Sequence, residues 1–477
     1  MPRSDEHPAP VIWWLRQDLR LTDNPALTAA VKTGAPVIAL FVLDDDTPGQ
    51  WRWGGASRWW LHHSLAAIAK DLEARGAKLI LRRGVAADIV QAIVADTGAQ
   101  TVFWNRQYEP FAVARDKALK TALKDKGVEA HSFNAALLAE PWEVANGSGD
   151  PFRVFTPFWK SLSSRLTVSK PTAAPKHIAA PAKQPRNDDL KSWELLPSAP
   201  NWATGFSVWT PGEAGAKARL RAFVDEALSS YAGDRDRPDI QGTSRLSPHL
   251  HWGEISPGAV WHAIATHVES KGSHALEAQA QKFFSELGWR EFSSHLLFHF
   301  PHLPDGNFRA AFDAFPWRTD KTALRAWTRG ETGYPIVDAG MRELWTTGWM
   351  HNRVRMIVAS FLIKDLLLDW REGERWFWDT LVDADLANNA ASWQWVAGSG
   401  ADAAPYFRIF NPVTQGEKFD PDAVYIRRWI PELAKIDPRL VHRPWEASTP
   451  PKSYPPPIVD HAVARDRALA AFAKIKQ

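Results

Sequence analysis

A chain of 477 residues is too long for one ordinary hydrophobic core, so two or three domains are expected. Its 45% hydrophobic and 23% charged residues match a soluble globular protein and argue against wholesale disorder, and the lack of cysteine excludes disulfides, thiolate metal sites, iron–sulfur clusters and cysteine nucleophiles. A net charge of +3 does not by itself mark a nucleic-acid binder, so any DNA affinity must come from local clusters of Arg and Lys.

The opening MPRSDEHPAP has acids and prolines but no apolar stretch, and reads as a short disordered tail rather than a signal. Val11 to Leu15 is a short apolar run that leads through Arg16-Gln-Asp-Leu-Arg20 to Thr22-Asp23-Asn24-Pro25, a cap for a helix over 26–32. Strand and helix then alternate: strands at 36–43, 78–82, 101–104 and 130–133, helices at 57–75, 86–97 and 112–126. This pattern predicts a doubly wound parallel α/β domain over residues 1–135. No G-x-G-x-x-G follows the first strand, so a dehydrogenase-type dinucleotide site is not supported.

Residues 167–211 turn rich in Pro, Ala, Lys and Ser, which predicts an interdomain connector within 136–211. Beyond it helical periodicity takes over, at 213–231, 257–267, 275–300, 321–329, 337–347, 352–368 and 372–381, so residues 212–477 are expected to form an all-α domain. The apolar run at 356–363 is far too short for a membrane span and is flanked by Arg355 and Lys364, so a cytoplasmic location is expected. The 26 tryptophans ask for a reason beyond packing, since Leu fills a core as well.

Four motifs carry chemistry. Tyr231 to Arg235 and Gly242-Thr243-Ser244-Arg245-Leu246-Ser247 form a hydroxyl-rich loop before a short helix, suited to a diphosphate, although a plain Ser/Thr helix cap reads the same residues. Glu286, Trp289 and Arg290 are expected on one helical face, offering a stacking platform, an acceptor and a cation, or else an ordinary buried Trp beside a salt bridge. Arg353 and Arg355 near a helix N-terminus oppose the helix dipole and so call for an anion, either a DNA phosphate or a carboxylate partner, while Asn352 and Met356 project together. Asp385, Asn389 and Trp393 follow at four-residue intervals and predict one stripe of acid, amide and indole, with Trp395 on another side; a metal or an acid/base pair is the alternative use of the two acids.

In order and spacing these motifs, from Trp14-Leu-Arg-Gln-Asp-Leu-Arg20 through Asp402-Ala-Ala-Pro-Tyr-Phe-Arg408-Ile-Phe-Asn-Pro412, resemble the photolyase/cryptochrome family over almost the whole chain. The resemblance implies FAD in the helical domain and light-driven electron transfer from FADH⁻ to a pyrimidine dimer in UV-damaged DNA. It implies that Tyr231, Thr243, Ser244, Arg245, Leu246 and Ser247 bind the diphosphate, with Phe283 beside them, and that Arg355, Asp383, Asp385 and Asn389 surround the flavin ring, Arg355 pairing with Asp383. Trp289 and Trp395 would clamp a dimer flipped out of the helix, Glu286 would hydrogen-bond its bases, and Arg235, Arg290, Asn352, Arg353, Met356 and Arg408 would hold lesion or backbone. Trp393, Trp370 and Trp317 would form the electron-hopping chain that photoreduces the flavin, and Trp345, Trp376 and Trp378 offer further routes.

Asn352 and Met356 stand where the (6-4) branch has His, and Asn389 where plant cryptochromes have Asp, so the resemblance points to cyclobutane-dimer repair by a monomer, with a cryptochrome-type photoreceptor or a (6-4) photolyase as the alternatives. The usual folate-binding Asn-Glu pair is missing after Tyr108-Glu109, which runs into Pro110-Phe-Ala. The stretch from Gln50 to Leu61, with Trp51 and Trp53, is similar to plant cryptochromes and related bacterial photolyases. A 5,10-methenyltetrahydrofolate antenna at Trp51, Trp53, Tyr108 and Glu109 is therefore expected, with 8-hydroxy-5-deazaflavin, or no antenna, as the alternatives.

Overall fold

The computed structural model describes residues 9–403 and 407–475. The first eight residues, read as a tail, and 404–406 of the Asp402 to Pro412 motif lie outside the described residues.

The N-terminal half alternates β1 (Val11–Leu15), α1 (Pro25–Lys32), β2 (Val37–Leu43), α2 (Gly55–Glu73), β3 (Leu79–Arg83), α3 (Ala86–Thr97), β4 (Thr101–Asn105), α4 (Pro110–Asp125) and β5 (Glu129–Phe133). The strands form one parallel sheet in the order β3-β2-β1-β4-β5, with Val11 opposite both Val37 and Thr101. Covered on both faces, β1 and β2 are buried throughout, which is why they read as unbroken apolar runs. The period of two still sorts their side chains. Trp13 and Leu15 join the core shared with α1 and α2, whereas Ile12 and Trp14 pack with Val90, Ile93 and Leu119 beneath α3 and α4. The strand order reverses at β1, so the loops after β1 and β4 part there and open a crevice at the carboxyl ends of the strands.

The connector is packed rather than loose. Val37 N donates to Ala179 O at 2.7 Å and Asp188 N to Leu81 O at 2.8 Å, while Ile178, Trp193, Phe206 and Trp209 are buried. A low-periodicity sequence hides this because its backbone bonds go to the sheet domain instead of to itself. Within it, α5 (Phe155–Ser163) packs on the helical half.

That half contains α6 (Glu213–Ala222), α7 (Tyr231–Asp234), α8 (Ser247–His251), α9 (Pro257–Lys271), α10 (His274–His299), α11 (Lys321–Arg329), α12 (Pro335–Thr347) and α13 (Asn352–Ser360). It continues with α14 (Trp370–Thr380), α15 (Leu386–Ala397), α16 (Pro412–Phe419), α17 (Val424–Trp429) and α18 (His461–Lys474). Two predicted helices are broken. The one over 213–231 passes through a π turn at Phe223–Ala227 and a tight turn at Leu228–Ser230. The one over 352–368 stops at Ser360 and continues as a π turn, Phe361–Asp365, in which Leu366 N donates to Phe361 O at 3.0 Å. Among the described residues no helix is long and apolar enough to cross a membrane.

Candidate cofactor and lesion site

The centre of the helical half holds several half-buried arginines. Arg355, in the first turns of α13, donates from Nη2 to both oxygens of Asp383 at 2.8 and 3.1 Å and from Nε to Met350 O at 2.7 Å. The anion demanded by a cation at a helix start is thus a carboxylate, delivered by the turn before α15. Arg353 likewise bonds Asp236 at 2.8 Å. His351 caps α13, its Nδ1 accepting from Arg353 N at 3.2 Å, and burial pushes the ring down to about 4, so it is neutral.

Arg245 lies between the faces of Trp209 and Trp349, 4.7 and 4.6 Å from their centroids. Its φ of +51° bends the 242–247 loop, and Ser247 Oγ accepts from Trp349 Nε1 at 3.3 Å. The guanidinium packs against both indoles, and its Nε is buried without a hydrogen-bond partner. A Cβ at Gly242 would lie 2.6 Å from Asp234 O, so the loop presses on α7 where only glycine fits. Thr243 and Ser244 are half-buried on the same loop, and Leu246 is buried. Tyr231 meets Phe283 edge-on at 5.4 Å, with Arg235 over its ring at 5.6 Å.

The expected stripe on α15 is corrected. Asp385 is not in the helix but caps it, its Oδ1 accepting from Asn388 N at 2.8 Å, so its side chain turns back toward His251 while Asn389 and Trp393 follow the helix. Burial alone would push this carboxyl up, but His251, Arg290 and the Asn388 N–H hold it down at about 2. Asn389 donates from Nδ2 to Glu374 O at 3.0 Å. Glu374, which the sequence reading missed, is buried with Oε1 unpartnered, and burial pushes its carboxyl well above the usual range. Its signal was present: Trp370, Gly373, Glu374 and Phe377 share one face of α14, an acid within an apolar stripe. His251, missed too, is the link from Asp385 across to Gln17 at 3.3 Å.

A second correction separates Arg290 from Glu286 and Trp289. Glu286 is bonded by Arg235, with Lys282 3.5 Å away. Arg290 instead donates to Ala136 O at 2.6 Å and faces Asp385 and His251. Trp289 lies flat on Phe155, centroids 3.7 Å apart, so one face of the expected clamp is already taken within the chain. Trp395, half-buried, lines a small cavity with Ser360, Lys364, Arg408 and Phe410. Asn352 is exposed and Met356 half-buried on α13. Among the tryptophans, Trp393 packs on Gly373 and meets Phe377 edge-on at 5.0 Å, Trp370 donates to Asn307 Oδ1 at 3.0 Å, and Trp317 is half-buried beside Phe315 at 4.3 Å. Trp393 and Trp370 are buried and Trp317 is half-buried. Trp345, 49% exposed, stacks on Trp376 at 6.0 Å.

The four expected antenna residues do not share one site. Trp53 lines an open cleft of about 670 Å³ with Arg52, Arg58, Arg83, Asp45, Trp378 and Asp379. Trp51 stands behind it, edge-on to Trp378 at 5.5 Å. Tyr108 and Glu109 belong to the crevice after β1 and β4, a narrow cavity of about 50 Å³ that also holds Asp385. Tyr108 donates to Glu140 at 2.8 Å, and burial beside that carboxylate raises its phenol. The two groups follow β2 and β4, which the sheet order holds apart with β1 between them.

A parallel sheet domain joined to a helical domain with Arg–Asp and buried Trp clusters defines a class of two-domain, cofactor-binding proteins. Residues 283–474 match the FAD binding domain of DNA photolyase and residues 11–177 match DNA photolyase. The chain belongs to the photolyase/cryptochrome family. It is 53% identical to the deoxyribodipyrimidine photo-lyase of Agrobacterium fabrum over 98% of both chains. It is 39% identical to Cryptochrome-1 of Arabidopsis thaliana over 98% of this chain and 70% of the relative. A crystal structure of a bacterial class III photolyase from Agrobacterium tumefaciens superposes with a TM-score of 0.95 at 53% identity, covering 100% of this chain and 99% of the other.

Proposed function

We propose that the chain is a deoxyribodipyrimidine photo-lyase that repairs cyclobutane pyrimidine dimers in UV-damaged DNA, acting as a cytoplasmic monomer. The observation that carries the reading is the Arg355–Asp383 pair in a helical half matched by the FAD binding domain of DNA photolyase, in a chain matched end to end by a relative named deoxyribodipyrimidine photo-lyase.

The residues fit FAD. Arg245 Nε is buried without a partner beside a loop too close-packed for any side chain at Gly242, and Glu374, whose carbonyl Asn389 bonds, adds an unpartnered carboxyl oxygen. Reduced FAD, when bound, supplies the light-driven electron that opens the dimer and takes it back. Tyr231, Thr243, Ser244, Arg245, Leu246 and Ser247 hold its diphosphate, with Phe283 supporting Tyr231. Asp383 is kept in place by Arg355, and Asp385 by His251, so both acids meet the ring from fixed positions without reorganising. Asn389 is oriented by the Glu374 carbonyl.

A stacked dimer cannot reach a buried cofactor, so it must leave the helix, at a cost of a few kcal/mol. Trp289 and Trp395 receive its flat faces, Trp289 stiffened by Phe155. Glu286 offers its carboxylate to base N–H groups, and Asn352, Met356, Arg353, Arg408 and Arg235 line the approach. Arg290, turned inward, serves the Asp385 side instead. Trp393, Trp370 and Trp317 carry electrons inward from the surface, with Trp376 and Trp345 a second outlet.

The cleft beside Trp53 is the antenna site we favour, since its volume suits a pteridine while the Tyr108 cavity is far too small. Arg52, Arg58 and Arg83 suit the acidic tail of 5,10-methenyltetrahydrofolate, and a deazaflavin is the alternative. The test is illumination of FAD-reduced protein with DNA carrying cyclobutane dimers beside DNA carrying (6-4) lesions. Light-dependent loss of the former is expected. Unchanged dimers would refute the reading and favour a cryptochrome-type photoreceptor.

A further inference from the structure

Lys364 is buried, 1% exposed, and burial lowers its pKa well below that of a free lysine. A lysine so placed needs partners for three N–H groups. Nζ donates to Val396 O at 3.0 Å and to Ala397 O at 3.3 Å, and sits 3.5 Å from the centroid of Phe407. The two carbonyls are the ones that the C-terminal cap of α15 leaves over, because Gly398 N and Gly400 N already serve Gln394 O and Trp395 O.

What Lys364 grips is the frame of the small cavity. Val396 and Ala397 follow Trp395 on α15, and Phe407 precedes Arg408, so one amino group ties the backbone behind the indole to the ring behind the guanidinium. One turn earlier, Ser360 Oγ accepts from Phe410 N at 3.2 Å, pinning the far end of the same segment. Phe407 is held from its other side by Phe472 of α18, parallel at 4.5 Å. The π turn at Phe361–Asp365 inserts an extra residue just where Lys364 must face α15, a distortion that costs helix geometry and is common where a site dictates the register.

We propose that Lys364 is a positioning residue for lesion recognition, setting Trp395 and Arg408 as the two sides of one pocket. The proposal rests on the reading of Trp395 and Arg408 as lesion-binding. Lys364 contacts neither the flavin-side residues Asn389 and Arg355 nor the Trp370 route, so its effect falls on discrimination of damaged DNA.

The experiment uses the full-length, FAD-loaded protein as wild type, Lys364→Met and Phe407→Leu. Binding of a duplex with a single thymine cyclobutane dimer, and of the same duplex undamaged, is followed in the dark by anisotropy, and flavin photoreduction is recorded on the same samples. Lys364→Met is expected to lower the damaged-to-undamaged affinity ratio by about tenfold or more, as for a site displaced by an ångström. Phe407→Leu, which keeps both carbonyl bonds, is expected to lower it less, with photoreduction unchanged in both. Wild-type discrimination in the FAD-loaded variants overturns the proposal. If Lys364→Met does not retain FAD, Phe407→Leu decides alone. A wild type that does not discriminate refutes the lesion-binding reading itself, a distinguishable outcome.

Discussion

Gly373→Ala tests whether the inner tryptophan is held where the electron route needs it. A Cβ at Gly373 would lie 2.1, 2.5 and 2.6 Å from the Cη2, Cζ3 and Cζ2 atoms of Trp393. Carbon atoms pack best at roughly 3.5–4.0 Å, so the indole must retreat by about 1.4 Å or α14 must move. Neither is easy, since Trp393 is 2% exposed and boxed in by Phe377 and Trp327. Overpacking of this kind costs roughly 1–3 kcal/mol, against about 1 kcal/mol gained by replacing glycine inside a helix, leaving a net loss of about 0–2 kcal/mol. Thermal melts read that loss, and transient absorption reads the rate at which oxidised flavin is photoreduced. Slower photoreduction with near-normal repair by chemically reduced enzyme is expected. Photoreduction at the wild-type rate in a more stable protein would refute the reasoning, because Trp393 would then have room to move or carry no electrons.

Burial pushes Glu291 up to about 7 from an ordinary 4.5. Its folded value exceeds its unfolded one, so the stability it contributes is greatest below pH 4.5 and is lost as pH rises through 7. Glu291→Gln, which keeps an oxygen for the Leu138 N–H, should therefore gain on wild type across that window and level off above it, by roughly 3 kcal/mol at most; denaturant titrations at pH 5 and 8 measure it. Arg355→Ala leaves Asp383 buried without its cation and should cost roughly 2–3 kcal/mol, less than a fully buried pair because Arg355 is partly exposed, together with weaker FAD retention on gel filtration. Trp53→Ala should remove a near-ultraviolet antenna band while FAD stays bound, read from absorption of the denatured extract; loss of FAD with the band intact would place the antenna elsewhere.

Local order was legible along the chain. The bounds of β1, α3 and α11 follow from apolar runs and periodicity, and the start of α1 from the Asn24 cap, because those signals act within a few residues. Membership of the family was legible too, since it lies in the order of motifs. The direction of side chains at the site was not. Asp385 and Asn389 sit at helical spacing, yet the first is a cap and turns to His251, because a cap residue leaves helical dihedrals to reach its N–H groups. Arg290 is one residue from Trp289, but Ala136 and Asp385, from other parts of the chain, draw it to the opposite side. Trp53 and Tyr108 looked like one antenna pocket until the sheet put them in two. The sequence by itself determined which residue types are available and what chemistry they suit. Only tertiary structure decided which of them face one another, because burial forces each polar group to find a partner that is distant in sequence.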